Sequence, residues 1–448
     1  MSLHGNERTQ SASTSPWSKH QVTRGETRRG TVLAFLAMMF AIYDFILFGT
    51  VLPVIQDDFG WSDSHATAVN TAVSIGGALV LLIVGGLVVD RIGRRRGMMV
   101  TIGGTALGSA LTSIVPGANS MVAVRSISGL GLAEQGINST YLNELYAVTE
   151  DKKIKGNRGF TYSLVQSGFP LGAVLAATFA TLLLPLIGWR WLFLVASFPA
   201  LLLVFMRRGL KETPQFEIEK QIRQLRRAGD TKAVAELAEK YQIDTDNSGV
   251  PLIEIFRGRA LRPTITLSLA WITNWFGILT FSILGTSVLT RGKDLSLSNA
   301  LLYTLVINLV GFLGYLAHGW AGDRFGRRNV IGVGWLIAGV VFAIMLLGVT
   351  APLGVLVLYA IGMFFLIGPY AALLFYNGEC YQTHCRATGV NFLNATSQIG
   401  AIVAGSLITA LLADGMSWSE AAFYVGAIGV FVSGVVVFFS RTEPEVAA

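Results

Sequence analysis

The chain has 448 residues, of which 52% are hydrophobic and 14% charged, and its mean hydropathy is +0.57. This excludes an ordinary soluble domain and points to an integral membrane protein. The net charge of +7 calls for no nucleic-acid partner, because lysines and arginines cluster between apolar runs as they do in the cytosolic loops of membrane proteins.

Residues 1–30 are polar, rich in Ser, Thr and Arg, and lack the apolar core of a cleaved signal peptide; they read as a disordered cytoplasmic tail. Twelve apolar runs follow, each near the ~20 residues needed to cross ~30 Å of hydrocarbon. They fall at 31–55, 66–90, 97–117, 119–146, 158–184, 189–207, 263–290, 297–320, 328–348, 353–376, 388–413 and 418–440, and are numbered spans 1 to 12. Roughly 30 of the 34 Lys and Arg residues lie on one side of these spans. Both termini are therefore expected in the cytosol of a cell (inner) membrane protein, with 441–448 as a short cytoplasmic tail. Residues 208–262 form a charged linker in which FEIEKQIRQLRRAG and TKAVAELAEKYQI read as amphipathic cytosolic helices. The two cysteines occur in CYQTHC, too irregular a set for a zinc site. No metal ligand, cofactor or catalytic constellation is expected, and the chain does not read as an enzyme.

Two loops share a pattern. GGLVVDRIGRRRG (85–97) and GWAGDRFGRR (319–328) both contain G-x-x-x-D-R-x-G-R-R, with Asp90 and Asp323 offset by 323 − 90 = 233. Tyr141-x-x-Glu144 recurs as Tyr376-x-x-Glu379, an offset of 235, and Arg158 and Arg386 differ by 228. A six-span unit has been duplicated, and such parallel repeats are related by an axis along the membrane normal. With twelve spans and a central linker, the chain resembles the major facilitator superfamily. The resemblance implies an all-α fold of two six-helix bundles, 31–207 and 263–440, related by a pseudo-two-fold axis. It also implies a cytoplasmic gate built from Asp90, Arg91, Arg94, Glu144 and Arg158 in one half and Asp323, Arg324, Arg327, Glu379 and Arg386 in the other.

Ionisable side chains inside a bilayer cost roughly 2.5–3.5 kcal/mol even on the mildest scales, so they face a cavity or a partner. Three stand out: Asp44 in span 1, and Arg125 and Glu134 in span 4. Nine residues separate Arg125 from Glu134, which places them on opposite faces of an ideal helix and makes them unsuitable partners. RSISGLG (125–131) resembles the superfamily's R-x-x-x-G-x-G segment, which implies proton coupling. A carboxylate whose surroundings alternate between burial and a nearby cation can bind a proton on one side and release it on the other; Asp44, Arg125 and Glu134 are the proton-coupling candidates.

Polar stripes on apolar helices mark cavity-lining faces. Such stripes comprise Glu134, Asn138 and Tyr141; Tyr162 and Gln166; Trp271, Asn274 and Trp275; Asn308 and Tyr315; and Asn391, Asn394 and Gln398. Adding Tyr43, Gln135 and Tyr370, the expected substrate cavity contains Tyr43, Gln135, Asn138, Tyr141, Gln166, Trp271, Asn274, Trp275, Asn308, Tyr370, Asn394 and Gln398. Membrane amides also serve as packing contacts worth about 0.6 kcal/mol.

YDFILFG (43–49) and EQGINSTYLNELYA (134–147) are similar to the signatures of the metabolite:proton symporter branch, while GWRWLF (188–193) and KETPQF (211–216) are shared with sugar porters and sialate or lactate carriers. Span 2 lacks the Arg-Pro-Leu-Gly usual in metabolite symporters, and Arg125 to Glu134 is one residue shorter than usual. The expected function is proton-coupled uptake of a small organic acid or related metabolite by a monomer in the lipid bilayer, through alternating access. Drug or metabolite efflux, and a cationic, zwitterionic or sugar substrate, are the alternatives; GFPLGAV (168–174) matches the exporters' G-P motif incompletely.

Overall fold

The computed structural model describes residues 20–83, 92–156, 158–241, 251–381 and 385–440. Asp90, Arg91 and His384 lie outside them, as do the side chains of Arg158 and Arg386. The described residues are helical and contain no named strand. Nine stretches are long and apolar enough to cross a membrane. One of them, 164–207, holds spans 5 and 6, joined where Gly188 takes φ 71°. Spans 3 and 4 complete the twelve.

Span 1 is the helix Arg24–Phe59, started by a Thr23/Glu26 capping box and ended by left-handed Gly60. Its buried face carries Ala34, Ala37, Ala41 and Gly49, small residues that let neighbouring backbones approach. Span 2 is Asp63–Ile83 and span 3 Arg94–Thr112. Span 4 is interrupted: Ala118–Ser128 passes through a 3₁₀ turn, Gly129–Ala133, into Glu134–Ala147. Span 10 breaks at the matching place, between Pro352–Ile367 and Tyr370–Glu379. Interrupted helices at corresponding positions of two repeats mark a binding site. Span 7 continues from Leu261–Gly277 into the π-helical stretch Ile278–Ile283, and span 8 is Leu297–Phe325. Span 9 is Arg327–Gly348, span 11 is Arg386–Ala413, and span 12 ends in Ile428–Val437.

The bundles meet tightly at the face opposite the repeated loop motif. Span 1 touches span 7 so closely that a Cβ on Gly49 would overlap the Ile283 carbonyl oxygen. Thr181 of span 5 donates to the Leu301 carbonyl of span 8 at 3.1 Å, and Thr409 of span 11 donates to Thr67 of span 2 at 3.1 Å. Arg291 pairs with Asp57 across the same interface. Linker helices Pro214–Ala228 and Thr231–Tyr241 pack through Ile218, Ile222, Val234 and Tyr241.

Candidate functional site

Between the bundles lies a cavity of about 440 Å³. Its lining runs from Ile42 and Tyr370 to Leu82 and Arg94, so its mouth is at the loop-motif face. The breaks in spans 4 and 10 deliver Gln135, Gly136 and Tyr370 to the wall. Gln166, Trp271, Trp275, Asn394 and Gln398 stand there too, with Phe169 and Tyr315.

The wall is aromatic and carries no Asp or Glu among the described residues. Phe169 from one bundle and Tyr370 from the other have nearly parallel rings, 7° apart with centroids 6.4 Å apart. Trp271 meets Tyr370 edge to face at 5.5 Å. The Trp271 indole N–H and the Asn394 side-chain oxygen are buried without a partner. Such groups are costly unless a ligand or water satisfies them.

Five expected cavity residues are placed elsewhere. Asn138 donates to the Ala34 carbonyl at 3.2 Å, and Tyr141 to the Lys211 carbonyl at 3.3 Å, both on the face of span 4 turned into its own bundle. The polar stripe Glu134, Asn138, Tyr141 is thus satisfied within protein, and Gln135, Gly136 and Thr140 form the cavity face. Asn274 stands behind the wall, accepting from the Tyr370 hydroxyl at 2.6 Å. Asn308 donates to the Thr304 carbonyl one turn back at 2.9 Å, and Tyr43 packs edge-on against Phe179 at 5.2 Å.

The intramembrane charges form two pairs, both away from the cavity wall. Arg125 Nη1 is 3.0 Å from Asp44 Oδ2, and its Nη2 donates to the Asp44 carbonyl at 3.0 Å. Phe48 and Phe193 lie 5.1 and 5.2 Å from this guanidinium, a favourable cation–π arrangement. Beside the pair is a void of about 20 Å³ bounded by Asn70, Ser128 and, from the other bundle, Leu279 and Ile283. Arg125 and Asp44 therefore adjoin the tight contact of spans 1 and 7.

Glu134 is held by the last residue of span 6. Arg207, fully buried at the end of span 6, donates to Glu134 Oε1 and Oε2 at 2.9 and 2.8 Å, to Asn138 at 3.0 Å and to the Met98 carbonyl at 2.8 Å. Thr101 adds a bond to Glu134 at 2.5 Å. The interior thus holds two acids and two bases, where two acids and one base were expected.

The gate candidates form separate networks in the two halves. Arg94 lies 3.0 Å from Glu144 and 3.2 Å from the linker's Glu219, and Thr213 donates to Glu144. Arg327 bonds Glu379 and, at 2.9 Å, Asp323, while Arg324 lies over Trp320 at 5.7 Å. Arg94 pairs with Glu144 and Arg327 with Glu379, each within its own half, consistent with a cavity open at this face.

The sequence pattern of the Major Facilitator Superfamily matches residues 34–375 and 295–448. A gentisate transporter of Corynebacterium glutamicum is 26% identical over 406 residues, 87% of this chain and 82% of that one. A 4-hydroxybenzoate transporter of Pseudomonas aeruginosa is 28% identical over 405 residues, 87% of each chain. The xylose transporter of E. coli, in a partially occluded inward-open conformation, shares the fold with a TM-score of 0.70 at 16% identity, covering 92% of this chain and 97% of that one. With twelve helices in two bundles, a cavity between them and a family match over nearly its whole length, the chain belongs to the Major Facilitator Superfamily and is a multi-pass membrane transporter.

Proposed function

We propose that the protein imports an aromatic monocarboxylate together with protons, as a monomer in the cell membrane with both termini cytosolic. The observation that carries this reading is the wall itself: two near-parallel rings from opposite bundles, an indole N–H beside them with no partner among the described residues, and no Asp or Glu among the described lining residues. A flat ring gains area against Phe169 and Tyr370, and its carboxylate takes charge-assisted hydrogen bonds from Trp271 and the side-chain amides. The relatives named for gentisate and 4-hydroxybenzoate carry substrates of this chemistry.

Asp44 is the coupling residue in this scheme. In the conformation open at the loop-motif face its charge is held by Arg125. Opening the contact of spans 1 and 7 admits water to that pair, and protonation then releases Asp44 from Arg125. Glu134 is held by Arg207 and serves to fix span 4 in its bundle. The Arg94 and Arg327 networks close the cytosolic face in the opposite conformation.

The test is uptake of labelled 4-hydroxybenzoate and gentisate into proteoliposomes, against succinate, a betaine and xylose, with and without an inward proton gradient. Gradient-driven uptake of the aromatic acids, lost in D44N while counterflow exchange persists, is the expected result. Uptake indifferent to the gradient would exclude symport, and a preference for succinate, betaine or xylose would exclude the aromatic site.

A further inference from the structure

One arginine contact occurs once in each bundle. Near the start of span 1, Arg29 Nη2 donates to the Met206 carbonyl at the end of span 6, at 3.1 Å. At the start of span 7, Arg262 Nε donates to the Phe439 carbonyl at the end of span 12, at 2.8 Å. Donors and acceptors keep one repeat offset, 262 − 29 = 233 and 439 − 206 = 233. The last carbonyls of a helix lack intrahelical donors, and a basic side chain that satisfies one also meets the negative end of the dipole.

The carbonyl takes one N–H of a guanidinium that carries five. Arg29 and Arg262 are otherwise exposed. Each shares a helix face with an exposed apolar residue three positions on, Val32 and Ile265. That spacing is about 4.5 Å along the helix axis, so the open N–H groups stand roughly one turn above side chains that face hydrocarbon. The partner spans expose Phe205 and Phe439 beside the same carbonyls.

Further cations flank each corner. Arg208 is exposed, its guanidinium 4.7 Å from the Phe205 ring. The acids of this corner are engaged, Glu26 with Lys211 and Asp151 with Arg24. In the second corner Arg257 and Arg259 are exposed just ahead of Arg262, and Glu254 is the one acid between positions 251 and 275. Each corner therefore carries surplus positive charge at the level of the lipid headgroups.

We propose that each corner binds the headgroup phosphate of an anionic phospholipid, one at Arg29 and Arg208 and the other at Arg262 and Arg259, with the acyl chains along spans 6 and 12. The phosphate accepts from the guanidinium N–H groups that the carbonyls leave open. A zwitterionic lipid offers the same phosphate with a cationic group beside it, which the surplus arginines repel.

Native mass spectrometry of the full-length protein in detergent, titrated with phosphatidylglycerol or phosphatidylcholine, tests this. Phosphatidylglycerol fills two sites at least fivefold more tightly than phosphatidylcholine. R29Q weakens one site and R262Q the other, each roughly fivefold, the effect of one arginine at a membrane surface. R29K and R262K retain most of the binding, and K232Q, on the linker, changes nothing. Equal binding of the two lipids, an R29Q/R262Q protein that binds like the parent, or an equal loss in K232Q overturns the proposal. Displacement of the lipid by millimolar inorganic phosphate makes these sites for a free anion and overturns it too. Where the variants do not fold, the parent decides. Raising ammonium acetate from about 0.05 to 0.5 M reduces the preference for phosphatidylglycerol, and a preference that ignores salt overturns the proposal.

Discussion

Replacing Arg207 with Met leaves the Glu134 carboxylate charged, fully buried and stripped of its two guanidinium bonds, with Thr101 still donating to it. Removing one member of a buried ion pair costs about 3–5 kcal/mol, because the stranded charge keeps its desolvation penalty. The Met98 carbonyl and the Asn138 side-chain oxygen also lose a donor, which places R207M toward the upper end. With an unfolding entropy of about 2.1 cal/mol/K per residue over a cooperative unit of roughly 180 residues, such a loss lowers Tm by about 10 °C. Thermal unfolding in detergent reads this directly. E134Q combined with R207M removes both charges and recovers at least half of the loss, since neutralising a buried pair is far cheaper than breaking it. An R207M protein that melts within about 2 °C of the parent would refute the reasoning. A double variant no better than R207M would move the role of Arg207 to the carbonyls it binds.

At Gly49, a Val side chain meets the Ile283 carbonyl, and overpacking of about 1–3 kcal/mol shifts the conformational equilibrium roughly five- to hundredfold away from closure at that face. Labelling of T286C by an impermeant maleimide accelerates accordingly; unchanged labelling means that spans 1 and 7 adjust locally. Outside the membrane, the Lys211 ammonium, 2.6 Å from Glu26, holds that carboxyl below its ordinary range, with burial opposing and Thr23 bonds assisting. A lowered folded value means that the contact stabilises fully above the free carboxylate's pKa of about 4.3 and is lost as pH falls through the folded value. K211M therefore speeds amide exchange at 24–27 at neutral pH, and the effect shrinks as pH falls through the folded value. Both groups meet solvent, so the neutral-pH effect stays below about 1 kcal/mol.

The duplicated fold was legible because its signals are local and repeated: the G-x-x-x-D-R-x-G-R-R loops, and apolar runs whose length is set by the bilayer. Arg125 and Glu134 were correctly read as non-partners, since nine helical positions separate their faces even with a 3₁₀ turn between them. The partner of Glu134 was not legible. Arg207 is followed by Arg208 at the end of an apolar run, where a basic residue normally marks topology and extends toward water. Nor could periodicity say which face of span 4 meets the cavity. It found the polar stripe Glu134, Asn138, Tyr141, but a polar stripe can be satisfied by a neighbouring arginine as well as by water. The aromatic wall was partly legible: Trp271, Trp275 and Tyr370 were expected there, whereas Phe169 has no polar atom to single it out.

Phe169 and Tyr370 belong to different copies of the ancestral unit, so the pocket is shared property. Neither half expressed alone holds both of these rings, whereas co-expressed halves that reassemble do. The division also freed each copy to change separately after duplication. One wall now offers a phenyl ring and glutamines, the other indoles, phenols, asparagines and a glutamine. A pocket inherited as two equal surfaces has in this way become one with a distinct left and right.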